Sequence, residues 1–142
     1  MTKLGKREKI FICLTILWLC VMWGHSLTPA VESDKESLGI VAILNGFLPF
    51  EITNHMVRKT AHFCEYFILG VLSTQIILNK VRENIINLRF SCLFVFFVAF
   101  IDETIQLFVE GRSGQISDVW LDFSGGFVAI ILTCVIIKLR HK

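Results

Sequence analysis

Residues 119–137 read VWLDFSGGFVAIILTCVII. Asp122 is the one charge in the run, and its length is close to the roughly 20 residues that carry a helix across a bilayer. Three apolar stretches of similar length lie upstream, at 10–27, 60–78 and 90–108, the last two containing ionisable residues. Period-2 alternation is absent, which argues against a β-barrel, and there is no internal repeat or low-complexity tract. The pattern predicts an all-α fold: an integral membrane bundle of four transmembrane helices. It forms a single domain over residues 1–142, with an extracytoplasmic loop at 28–59 between the first two spans.

Composition agrees with this reading. Of 142 residues, 54% are hydrophobic, thirteen are Phe and only two are Pro, and the mean hydropathy is +0.67. A soluble domain of this size hides only part of its chain, so this much apolar surface calls for a large partner or a bilayer. A net charge of +2, with no basic patch interleaved with aromatics, argues against a nucleic-acid partner. The five cysteines, Cys13, Cys20, Cys64, Cys92 and Cys134, are odd in number and lack CxxC spacing. They read as reduced, buried small hydrophobes, with no disulfide and no cysteine-ligated metal expected.

Charge placement sets the orientation. Lys3, Lys6, Arg7 and Lys9 precede the first span, Lys80, Arg82 and Arg89 fall between the second and third, and Lys138, Arg140 and Lys142 follow the fourth. An even number of spans puts these on one side, against Lys35, Arg58, Lys59 and Arg112 on the other. The positive-inside rule therefore predicts cytoplasmic termini and a multi-pass protein of the cell membrane. A basic start before an apolar run also resembles a secretory signal. The run is longer than a usual signal core, however, and Thr28-Pro29-Ala30 puts Pro awkwardly for cleavage, so an uncleaved helix is expected. In the outer loop, Glu32, Asp34, Lys35 and Glu36 are followed by an apolar half at 40–50. Short helical pieces are expected there, lying on the membrane surface or folding back over the bundle, with turns at Pro29 and Pro49.

On this topology the intramembrane polar residues converge. His62, Glu65 and Tyr66, three and four apart, share a face near the outer end of the second span. Asp102, Glu103 and Gln106 lie in the last turns of the third, and Asp118 and Asp122 open the fourth. Three helices thus bring five carboxylates to one depth, with Arg58, Lys59, Arg112 and Ser113 at the rim. A carboxylate in a bilayer costs about 2.5–3.5 kcal/mol on insertion scales, so five together point to a functional pocket. Taken singly, each has an ordinary role. Asp118 can cap its helix, Glu103 or Arg112 can serve as an ion-pair partner, and His62 can be a packing residue. Tyr66 can be interfacial, and Gln106 can bridge helices. Gly125, Gly126 and Ala129, with Gly70 and Ser73, are read as packing residues that let helices approach.

Residues 58–70, RKTAHFCEYFILG, resemble the signature of the VanZ-like family. So do DETIQLF at 102–108, Gly111-Arg112-Ser113-Gly114, and Asp118, Asp122 and Gly125. Ser26 and the Ser33 and Ser37 pair resemble the serine-rich stretch after the first helix in such proteins. The similarity covers about residues 10–137 and departs at Ala129, where a Gly is expected. The resemblance implies a bacterial cell-membrane protein of the cell envelope, of the kind associated with antibiotic resistance to teicoplanin.

Two functions from different classes fit these residues. In the first, an envelope enzyme at the outer leaflet modifies a lipid phosphate or lipid-linked wall precursor. Glu65 or Asp102 is its base, with His62 beside them. Asp118 and Asp122 are metal ligands or orienting groups for a divalent cation such as Mg²⁺, a candidate cofactor. Arg112 is the anion clamp, Ser113 a hydrogen-bond donor, and Arg58, Lys59, Tyr66, Glu103 and Gln106 complete substrate binding. In the second, a non-enzymatic module sequesters a lipid-anchored ligand such as a lipoglycopeptide. Membrane lipids are partners in both. No established hydrolase motif is present. An ion pathway ranks last, because the inner halves of the spans offer little beyond Ser73, Thr74, Gln75 and Thr133.

Overall fold

The computed structural model describes residues 5–78 and 85–140. Lys3, Lys80, Arg82 and Lys142, used above to orient the chain, lie outside them. The described residues form five helices and no strand: α1 (Lys6–Ser26), α2 (Ala30–Phe47), α3 (Asn54–Leu78), α4 (Ile85–Gln106) and α5 (Ile116–Arg140). The four apolar stretches correspond to α1, α3, α4 and α5. Of these, α1 and α5 are long and apolar enough by themselves to cross a membrane. α3 and α4 have comparable length, at 25 and 22 residues, but carry Arg58, Lys59 and Glu65 on one and Arg89, Asp102 and Glu103 on the other.

Local chemistry explains the helix ends. At the start of α1 the Glu8 carboxylate accepts the Gly5 N–H at 2.9 Å, satisfying a donor that the helix leaves free. Pro29 is the N-cap of α2, and a proline entering a helix loses no ladder bond. The segment expected to hold short helical pieces is instead one helix of 18 residues, because Gly39 and Gly46 only weaken a helix and no proline interrupts it. Pro49 lies in the bend that follows. There Asn45 holds the link, accepting from Ile52 N–H at 2.7 Å and donating to Ile52 O at 3.1 Å. The Thr53 hydroxyl then accepts from Met56 N–H at 3.3 Å, and α3 starts well before its apolar run.

The most extensive helix contact joins α3 to α5, and glycine makes it possible. A Cβ on Gly70 would strike the backbone of Gly126 and sit 2.9 Å from the Ala129 methyl. One on Gly125 would strike the Phe63 carbonyl, and one on Gly126 the Val95 side chain. Small residues therefore bring two backbones into contact, as their spacing predicts. Around this crossing Tyr66, Leu69, Val95, Ala99 and Ile130 are wholly buried.

The polarity of the molecule is inverted relative to a soluble bundle. Asp102, Glu103, Gln106, Asp122, Ser73 and Thr74 are buried, while Phe90, Phe97, Phe100, Ile131, Val135 and Ile136 face outward. All five cysteines are free, but Cys13, Cys20 and Cys64 are exposed, contrary to the burial expected of them. Their helix faces look outward among other apolar side chains, such as Ile16, Leu17, Val21 and Ile68. A small hydrophobe gains nothing there from an interior position.

Gly70→Ala should lower the unfolding midpoint of the detergent-purified protein, by an overpacking cost of about 1–3 kcal/mol. Gly24→Ala, where nothing lies within 4 Å of the added methyl, should leave it unchanged or raise it. Thermal melts of the two variants distinguish a backbone contact at Gly70 from a generic effect of removing glycine.

Candidate functional site

Four helix ends meet at one end of the bundle: the last turn of α1, the first half of α3, the last turns of α4 and the first turns of α5. The loop from α4 to α5 locks them together. Gly111 takes φ 73°, a left-handed conformation suited to glycine, and a Cβ on Gly114 would collide with the Glu103 carbonyl. This close return lets the Gln115 N–H donate to Glu103 Oε2 at 2.9 Å, while Gln106 Nε2 donates to Oε1 at 3.2 Å. Arg112 donates from Nε to the Thr28 carbonyl at 2.8 Å and from Nη2 to the His25 carbonyl at 2.9 Å. Glu110 O accepts the Ala30 N–H at 3.2 Å. The end of α1 and the start of α2 are thereby held against the loop. Burial, reinforced by the nearby Arg58, lowers the Arg112 guanidinium from its ordinary pKa.

Of the residues expected to converge, His62, Asp102, Glu103 and Asp122 do so closely. One ligand atom from each lies within 4.8 Å of those from the others. Asp122 is 0% exposed, Asp102 1% and Glu103 4%. Asp102 Oδ1 accepts a short bond, 2.5 Å, from the Ser26 hydroxyl of α1. His62 Nδ1 is 3.5 Å from Asp122 Oδ1, too long for a hydrogen bond. Both Asp122 oxygens, His62 Nδ1 and the hydroxyl of Tyr66 are buried and have no hydrogen-bond partner.

The other expected members sit around this centre with partners of their own. Glu65 meets His25 Nδ1 at 2.8 Å, and its carbonyl accepts from Trp18 Nε1 at 3.0 Å. Asp118 pairs with Lys59. Arg58 donates to Asp34 at 2.9 Å, beside Asn54 at 3.0 Å. Ser113 is exposed and accepts from Gln115 Nε2 at 3.3 Å. Among the described residues Arg112 reaches no carboxylate within ion-pair distance, so the reading of it as a simple neutralising partner gives way to a backbone clamp.

Two cavities approach the cluster, and both are lined by Arg58, His62 and Arg112. The smaller, about 180 Å³, opens between α1, α2 and α3 beside His25, Ser26, Ser37, Ile40 and Glu65. The larger, about 410 Å³, lies beneath the α4–α5 loop beside Asn54, Lys59, Gln106, Ser113 and Asp118.

Sequence reasoning named Ser26 only for the family resemblance and missed both its bond to Asp102 and the contribution of His25. The two residues close the first apolar run at the same end as the other polar residues, and that shared position was the signal available for them.

The class defined by fold and site is an all-helical protein with membrane-length apolar helices and a carboxylate–imidazole cluster buried between them. The family model described as VanZ/LLP1 matches residues 11–138, and the chain belongs to that family. No curated protein and no solved structure shows significant similarity to it.

Ser26→Ala leaves the buried Asp102 carboxylate without its hydroxyl donor and should destabilise the protein by about 1–3 kcal/mol. Thr28→Ala, which removes only a local bond from an exposed hydroxyl to Gly24 O, should have a much smaller effect in the same denaturation assay.

Proposed function

We propose that the chain is a four-span membrane protein with both termini in the cytoplasm and the cluster at its outer end. There it acts on the cell envelope in the manner of teicoplanin and lipoglycopeptide resistance, by modifying a lipid or lipid-linked wall precursor. Three things support the topology: the outward-facing apolar side chains, the buried polar residues they enclose, and the excess of Lys and Arg on the opposite side.

The observation that carries the functional reading is the pair of cavities meeting at His62, with buried carboxylates beneath and Arg58, Lys59 and Arg112 around them. An anionic head group fits the cationic rim, and its alkyl portion fits the Ile40, Val57 and Ala61 side of the smaller cavity. Of the two candidate bases, Glu65 faces that cavity and is hydrogen-bonded to His25, whereas Asp102 is enclosed and held by Ser26. Glu65, with His25 as its proton relay, is therefore the proposed general base. The apolar side of the same cavity also suits a second reading, in which the pocket shields a lipid-anchored ligand without altering it.

A sensitive Gram-positive host expressing the protein should gain protection against teicoplanin more than against vancomycin. Glu65→Ala and Arg112→Ala, at equal membrane levels, should lose it. Glu65→Gln separates the two readings, because catalysis needs the carboxylate while a binding pocket tolerates the amide in part. Lack of protection by well-expressed wild type would contradict the resistance role.

A further inference from the structure

Three carboxylates lie together between the helices at one end of the bundle with almost no contact with water: Asp102, Glu103 and Asp122. Burying charge costs several kcal/mol per ion unless a counter-charge is present (about that order in proteins). The cationic side chains nearby are committed elsewhere. Lys59 pairs with Asp118, Arg58 with Asp34, and Arg112 bonds two backbone carbonyls. Among the described residues no Lys or Arg lies within ion-pair distance of the three carboxylates, and the His62 imidazole stands 3.5 Å from Asp122. Either protons or a bound cation must supply the missing charge.

We propose that His62, Asp102, Glu103 and Asp122 bind one divalent transition-metal cation, with Mn²⁺ and Zn²⁺ the favoured ions. Opposite donors of a six-coordinate ion with bonds of about 2.2 Å lie about 4.4 Å apart, whereas the donors of a tetrahedral zinc site lie about 3.4 Å apart. The observed 4.8 Å spread therefore closes with a shift of about a few tenths of an ångström around six-coordinate Mn²⁺ and of about 1.4 Å around tetrahedral Zn²⁺. Spacing alone is not the reason. Both oxygens of the fully enclosed Asp122 lack any hydrogen-bond partner, as do His62 Nδ1 and the Tyr66 hydroxyl one turn along α3. Unsatisfied buried oxygens on a carboxylate are expensive, and a cation at the centre satisfies them.

The surrounding groups fit this role. Ser26 fixes Asp102, and Gln106 and the Gln115 N–H fix Glu103, each leaving further lone pairs on the carboxylate free to bind. One imidazole with three carboxylates favours Mn²⁺ or Zn²⁺ over Ca²⁺ and Mg²⁺, which prefer oxygen alone. Asp118, expected from its spacing to join Asp122 as a ligand, is not among these four and pairs with Lys59. Both cavities reach His62, the one member of the four that lines them. This site deepens the envelope reading above and rests on it for its biological purpose, though not for its existence.

The test uses tag-free full-length protein in detergent, stripped with EDTA and titrated separately with Mn²⁺, Zn²⁺, Mg²⁺ and Ca²⁺. Retained metal is counted by mass spectrometry, and the unfolding midpoint is followed. One equivalent of Mn²⁺ or Zn²⁺ per chain should be retained, with a raised midpoint and, for Mn²⁺, a nitrogen coupling from imidazole in its magnetic-resonance spectrum. Asp122→Asn and His62→Ala should weaken binding by about tenfold or more, while Asp118→Asn should retain the ion. Wild type that retains no stoichiometric metal and melts identically with and without it overturns the site and leaves protons as the neutralising charge. Loss of binding in Asp118→Asn alone overturns this ligand set. Stoichiometric binding in a protein that gives no teicoplanin protection sinks the envelope role and supports the metal site.

Discussion

The crossing of α3 and α5 at Gly70, Gly125 and Gly126 governs what the rest of the molecule can do. Because a Cβ on Gly125 would overlap the Phe63 carbonyl, the two backbones touch one residue away from His62. Asp122 sits one turn before Gly126 on α5, so this contact brings its carboxylate to within 3.5 Å of the imidazole. A bulkier crossing would separate the helices and open the cluster. Packing and chemistry are thus tied at one point, and close helix approach through small residues is the means.

A second constraint follows from the polarity of the bundle. Apolar side chains line its outside, and the buried carboxylates sit beside an apolar core that includes Leu69, Val95 and Ile130, so water supplies them with no partner. Neutral donors take part of that load through Ser26, Gln106 and the Gln115 N–H. Positive side chains are drawn off to the rim by Asp34 and Asp118. The result is a centre rich in acceptors beneath a ring of bases. The loop from α4 to α5 maintains the separation, since Arg112 is held to carbonyls of the α1–α2 junction while its side chain still borders both cavities.

Helix positions were legible because apolar runs of bilayer length and the spacing of Gly70, Gly125 and Gly126 each have a direct physical consequence. The i, i+4 spacing also placed Asp118 and Asp122 on one face, but it could not tell which would meet a neighbour and which a lysine. That depends on helix rotation and on where the 58–59 turn of α3 falls, and neither is a property of one segment. Glu65 was grouped with the other carboxylates for the same reason, and it turns instead towards His25. The role of α1 was hidden because His25 is an isolated polar residue at the end of an apolar run, and because Ser26, noted for the family resemblance, carries nothing that points to Asp102 as its partner. The long α2 was underestimated because its polar first half and apolar second half read as separate pieces, while the helix runs through both.

Labelling with a membrane-impermeant maleimide shows whether the cluster faces the outside of the cell, as proposed. In a chain whose five cysteines are replaced by serine, Ser113→Cys marks the exposed loop over the cluster and Lys138→Cys marks the far end of α5. Intact cells should label the cysteine at 113, while the one at 138 should label only after the membrane is opened. The reverse pattern would put the site in the cytoplasm and rule out the outward-facing topology.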